Sequence, residues 1–139
     1  MDLFNRITLK RVISPVSVSD NTAQVGQIID HAGYSSTVYG IATGSLADSN
    51  ATFAVLLEES DDSGMSGAVA VDDAYLIGTE TLAGFQYNSD DKCRKLGYKG
   101  TKRYTRLTIT PSGNADVALI AAVCLLGGGI TGPEANPPV

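Results

Sequence analysis

At 139 residues and 43% hydrophobic content, the chain is about one domain long, enough to bury roughly 68–70% of its unfolded surface without staples. A net charge of −5 and a pI near 4.6 argue against long-range attraction to nucleic acid. Its two cysteines, Cys93 and Cys124, have no CxxC spacing and no neighbouring histidine, so neither a zinc site nor a disulfide framework is indicated.

The N-terminal stretch MDLFNRITLKRVISPV has no signal-peptide core, because Arg6, Lys10 and Arg11 interrupt its apolar residues. The expectation is an unprocessed protein made in the cytoplasm. With Pro15 and the polar residues Ser14, Ser17, Ser19 and Asp20, residues 1–21 read as an extended arm. Fifteen glycines among many Val, Ile, Thr and Tyr favour strands joined by turns over the rest.

Thr22 to Asp30 opens the regular body, and a turn at His31-Ala32-Gly33 leads into a strand over Ser36 to Thr43. Thr52 to Glu59 alternates Phe53, Val55 and Leu57 against Ala54, Leu56 and Glu58, and its apolar character predicts a central strand. Ser60 to Gly67 is a turn, followed by a short strand at Ala68 to Val71. Residues 72–91 are broken by Asp72, Asp73 and Gly78, with one strand suggested around Gly84 to Tyr87. The clearest period-two signal runs from Tyr104 to Pro111; a turn follows, then the apolar run Asp116 to Leu126, where strand is favoured over helix because Gly127-Gly128-Gly129 stops it after about ten residues. That run is too short for a membrane-spanning helix, which needs about 20 residues.

Seven or eight short strands without a βαβ pattern predict an all-β fold, an antiparallel, jelly-roll-like β-sandwich over residues 22–127, with a Gly/Pro-rich C-terminal tail over 128–139. Phe53, Val55, Leu57, Leu107, Ile109, Leu119, Ile120 and Val123 are the expected core. Cys124 reads as a buried thiol and Cys93, among Lys92, Arg94 and Lys95, as a structural residue.

The catalytic inventory is thin. No GxGxxG, Walker, HExxH or GxSxG pattern occurs, and His31, the one histidine, sits in a turn. The carboxylates of Glu58, Glu59, Asp61 and Asp62 do not fit a calcium loop, and neighbours on a strand point to opposite faces, so a solvated acidic turn is expected. Lys99, Lys102, Arg103 and Arg106, interleaved with Tyr98 and Tyr104, have the make-up of a nucleic-acid surface, but the acidic total speaks against one. The sequon Asn50-Ala51-Thr52 carries no weight without a secretory route. Seven of the ten basic residues fall between Lys92 and Arg106, whereas Glu58 to Asp73 is acidic. Segregated charge of this kind suits pairing between copies or with a polarised lattice.

The segments Phe53-Ala-Val-Leu-Leu-Glu-Glu-Ser-Asp-Asp62 and Gly97-Tyr-Lys-Gly-Thr-Lys-Arg-Tyr-Thr-Arg106, with a final apolar strand and a Pro-containing tail, resemble a family of small tailed-phage proteins that decorate or cement the capsid exterior. The resemblance covers about residues 22–127. It implies a non-enzymatic virion protein on the capsid surface, without cofactor or metal, that binds the major capsid protein and its own copies, as a trimer, and neither nucleic acid nor membrane. The interface candidates are Arg94, Lys99, Lys102, Arg103, Arg106, Glu58, Glu59, Asp61 and Asp62. The alternatives are a tail-tube or head-completion component and a carbohydrate-binding or adhesion module.

Overall fold

The computed structural model describes residues 2–130 and 132–138. Met1 of the expected arm, and Thr131 and Val139 of the expected tail, lie outside the described residues. Strand accounts for 49% of the described residues and helix for 7%, in two antiparallel sheets packed face to face. Among the described residues the strands are β1 (Ile7–Val18), β2 (Gln24–Val25), β3 (Ile29–Asp30), β4 (Ser36–Leu46), β5 (Thr52–Ser60), β6 (Val69–Ala70), β7 (Leu76–Ile77), β8 (Phe85–Gln86), β9 (Cys93–Tyr98), β10 (Tyr104–Ser112) and β11 (Ala118–Gly127), with one short α-helix, α1 (Glu80–Ala83), and short 3-10 helices at Phe4–Arg6 and Asp73–Tyr75.

The first sheet has the order β1-β11-β4-β9-β7. The second is built around β2-β10-β5-β6, with β3 also on β10 and β8 also on β5. Most connections cross from one sheet to the other, which gives the sandwich its jelly-roll-like character. Alternation dictates what lies between the sheets: Phe53, Val55 and Leu57 from β5 and Leu107 and Ile109 from β10 meet Tyr39 and Ile41 from β4 and Ile120, Ala122, Cys124 and Leu126 from β11. Phe53 stacks on Phe85 with ring centroids 4.7 Å apart. Burial of each large side chain here contributes on the order of 1.5–3 kcal/mol.

Three expectations need correction. Leu119 and Val123 are not core residues; they are 41% and 42% exposed and face outward, because β11 is a strand and consecutive residues 119 and 120 must point to opposite sides. Residues 7–18 are not a separate arm but β1, paired along its length with β11 from Ile7↔Gly127 to Val18↔Ala118. Register shifts on either side of Ile13 interrupt the alternation there, and Pro15 is accommodated because β1 lies at the sheet edge. The expected strand over 22–30 is split in two at Gly26, which passes so close to β1 and β10 that a Cβ would lie 2.7 Å from a Val12 methyl and 2.6 Å from the Leu107 carbonyl oxygen. The described residues of the segment 128–138 carry no regular element, although the Glu134 N–H donates to the Asn5 carbonyl at 3.1 Å and the Tyr34 hydroxyl to the Glu134 carboxylate at 3.1 Å.

Candidate functional site

The two segments singled out in the sequence meet at one end of the sandwich. In the β5–β10 ladder Arg106 lies opposite Glu58, Thr105 opposite Glu59 and Tyr104 opposite Ser60. The connection between β9 and β10 carries residues 99–103 from one sheet to the other, across the acidic end of β5. The Tyr98 hydroxyl donates to Glu59 Oε2 at 2.7 Å and accepts from the Lys102 N–H at 3.1 Å. Lys102 Nζ meets Asp61 Oδ2 at 2.6 Å, and Arg106 Nη2 meets Glu58 Oε1 at 3.4 Å. Arg103 forks onto both oxygens of Asp30, at 2.9 and 3.0 Å. These bonds hold the Asp30 and Asp61 carboxyls below the usual carboxylate range. Charges segregated along the chain are therefore matched within one copy.

Behind this charged end lies a polar network inside the sandwich. His31 Nδ1 is 2.8 Å from the Thr37 hydroxyl on β4, and its Nε2 is 2.6 Å from the Thr105 hydroxyl on β10, which also meets the Tyr39 hydroxyl of β4. The imidazole thus links the two sheets rather than sitting free in a turn. Burial pulls its pKa down to about 4, the neighbouring Asp30 opposing weakly, so it is neutral at pH 7. Thr105 is fully buried and His31 half-buried. Among the described residues no group of three or more His, Cys, Asp or Glu could hold a metal ion.

The other candidates lie apart from that junction or serve its turn. Asp62 accepts from the N–H groups of Gly64 and Ser66 and so shapes the loop after β5. Lys99 is exposed, its N–H bonded to the Tyr75 carbonyl. Arg94 on β9 donates to the Ser89 hydroxyl at 3.3 Å and lines an open cleft with Glu80, Gln86 and Asn88. Cys93 is exposed and Cys124 buried, where desolvation pushes its thiol up to about 12.

Sequence reasoning missed the outward face of the first sheet. Leu9 of β1, Leu119 and Val123 of β11, Val38 of β4 and Ile77 of β7 all project there and are exposed. Gly40, Ala42 and Gly44 lie beside them on β4 and Ala121 on β11, so the face has a hollow along its middle, in two adjoining depressions of about 390 and 180 Å³ that share Ala42 and Ala121. The outward face of the second sheet is mixed, with Thr108, Thr110, Arg106, Glu58, Val25 and Leu56. The signal for the hollow face was in β11, which is apolar at alternate positions on both sides.

No protein-family model and no curated protein matches the sequence. Among solved structures, the chain is similar to the PBSX exported protein XepA, with a TM-score of 0.56 and 15% identity over 89% of this chain and 38% of that one. The chain thus spans well under half the length of that protein. It is also similar to a xylan-binding module, CBM15 (TM-score 0.43, 13% identity, 94% of this chain and 96% of that one), and to a family 22 carbohydrate-binding module of Clostridium thermocellum Xyn10B (0.41, 9%, 91% and 89%). The likeness to XepA shows a shared fold. No helix among the described residues is long and apolar enough to cross a membrane.

Proposed function

We propose that this chain is a non-enzymatic virion structural protein, a decoration or cement protein that binds the outer surface of a tailed-phage capsid and stabilises the head, with the major capsid protein as its partner. The observation that carries the reading is the division of labour between the two sheets. The two segments that resemble the decoration family are used inside the molecule, as braces across one end of the sandwich, while the first sheet turns an apolar, hollowed face outward. A rigid body with one such face suits a clamp that adds many copies of a modest contact to a shell.

Lys102, Arg103 and Arg106, basic candidates for the trimer interface implied by the resemblance, are already paired with Asp61, Asp30 and Glu58 in the same copy. Of the six tyrosines, Tyr39 and Tyr98 are buried and unavailable as sugar platforms. Cryo-electron microscopy of whole virions tests the proposal. Density for this fold on the outer capsid is the expected result; density in the tail, or none on the head, overturns it.

A further inference from the structure

The hollow on the first sheet has a shape and a charge pattern that together specify what fills it. Rows run across the sheet in register. One row reads Arg11, Val123, Gly40, Lys95, so that a ridge on β11 lies beside a gap on β4 and a cation stands at either end. A second row sets Leu119 beside Gly44, where a Cβ on the glycine would lie 3.0 Å from the Leu119 Cβ. Between them Ala121 faces Ala42. At the outward positions of β1, β4, β7, β9 and β11, the charged residues are Arg11 and Lys95, and no carboxylate projects there.

A second copy is a poor occupant. A two-fold axis parallel to the strands would seat Val123 of each copy over Gly40 of the other, but it also lays Arg11 of one on Lys95 of the other, twice per interface. A two-fold axis across the strands separates the cations but sets β11 on β11, ridge against ridge. Like charges opposed in an interface disfavour association. A lipid surface is also a poor occupant, because the outward positions of this sheet hold no Trp, Tyr or Phe to anchor it at a headgroup layer, and the apolar centre is recessed rather than protruding.

We infer that this face docks a partner protein that lays a ridge of branched apolar side chains into the furrow over Gly40, Ala42 and Gly44 and sets carboxylates against Arg11 and Lys95. Tight packing of the ridge supplies affinity, and the two charge pairs at its rim fix register and orientation. This deepens the capsid-binding proposal and rests on it for the identity of the partner, the major capsid protein.

The test measures binding of the purified chain to purified heads stripped of it, by co-sedimentation. Ala42→Phe fills the furrow from an exposed position, and Lys95→Glu reverses one rim charge; each is expected to weaken binding at least about tenfold, with unchanged circular dichroism. Thr110→Glu, on the outward face of the other sheet, is expected to bind like the parent. If the unaltered chain fails to bind heads, the capsid proposal falls and this inference with it. If it binds and both furrow variants bind equally well, the inference alone falls. A dimer in sedimentation equilibrium that Ala42→Phe abolishes, or flotation with phosphatidylglycerol vesicles that Lys95→Glu abolishes, would also overturn it, in favour of a second copy or a membrane.

Discussion

The hydroxyl of Tyr98 on β9 donates to the carboxylate of Glu59 on β5 at 2.7 Å, and this bond joins the two sheets of the sandwich at the end where β10 begins. The same oxygen accepts from the Lys102 N–H, so one phenol holds both the acidic end of β5 and the crossing loop. Tyr98→Phe removes the donor from a half-buried carboxylate and the acceptor from a backbone amide. The expected loss is about 1–3 kcal/mol of unfolding free energy by urea denaturation. The phenylalanine keeps the ring contact with His31, so the loss reports the hydroxyl.

His31 makes stability depend on pH in a defined window. Its folded pKa, near 4, lies below the ordinary value of 6.5, so between these limits the unfolded chain binds more protons. The contribution of the neutral imidazole is therefore complete above about pH 6.5 and is lost as the pH falls toward 4. Partial exposure of the ring reduces the effect to on the order of 1–3 kcal/mol. Urea midpoints at pH 7.5 and 5 should differ in the parent, and the difference should shrink in His31→Gln, which keeps a polar group between Thr37 and Thr105.

The two sides of β11 and its neighbours should respond differently to truncation. Leu57→Ala or Ile109→Ala opens a cavity between the sheets and is expected to cost about 2–5 kcal/mol. Leu119→Ala, on the outward face, is expected to change stability by less than about 1 kcal/mol. Thermal unfolding of the three variants checks the contrast.

Reversal of Lys102 and Arg103 together to Glu separates pairing within a copy from pairing between copies. The structure matches them to Asp61 and Asp30, so the expected result is faster amide hydrogen exchange around His31, whose N–H donates to the Arg103 carbonyl, and around residues 61–62. The sedimentation coefficient should not change. A shift in oligomeric state with no local loosening would contradict this.

The two cysteines give a chemical check on the core. Cys93 is exposed on β9 and Cys124 is sealed between the sheets. A thiol reagent should titrate one thiol in the native protein and two after denaturation.

What the sequence made legible follows from how strictly each strand alternates. β5 and β10 each bury one side and expose a visibly more polar one, so both their extent and the facing of Phe53, Val55, Leu57, Leu107 and Ile109 could be read directly. In β11 both sides are apolar, and nothing in the residues says which of Leu119 and Ile120 points in. β1 was hidden by its bulges and Pro15, and β9 by Arg94 and Lys95, because an edge or outward position tolerates charge within a strand. Of the candidate site, the charges were found, but their partners depended on the long-range β5–β10 register and on a loop crossing between sheets. The role of His31 depended on Thr37 and Thr105, the latter 74 residues away.

The pairing of β1 with β11 also governs the order in which the molecule can form. The partners in this ladder are separated by 120 residues at Ile7–Gly127 and by 100 at Val18–Ala118, and β11 is the strand that connects β1 to β4. During synthesis β1 has no strand to pair with until β11 has left the ribosome, so the first sheet closes late, after β5 and β10 have had time to pair. Closure across so much chain carries a large entropic cost before its contacts are gained, which places the protein among slow-folding topologies. Until that step the edge of β4 that receives β11 stays unpaired, and the nascent chain is most exposed to aggregation in the interval before β11 arrives.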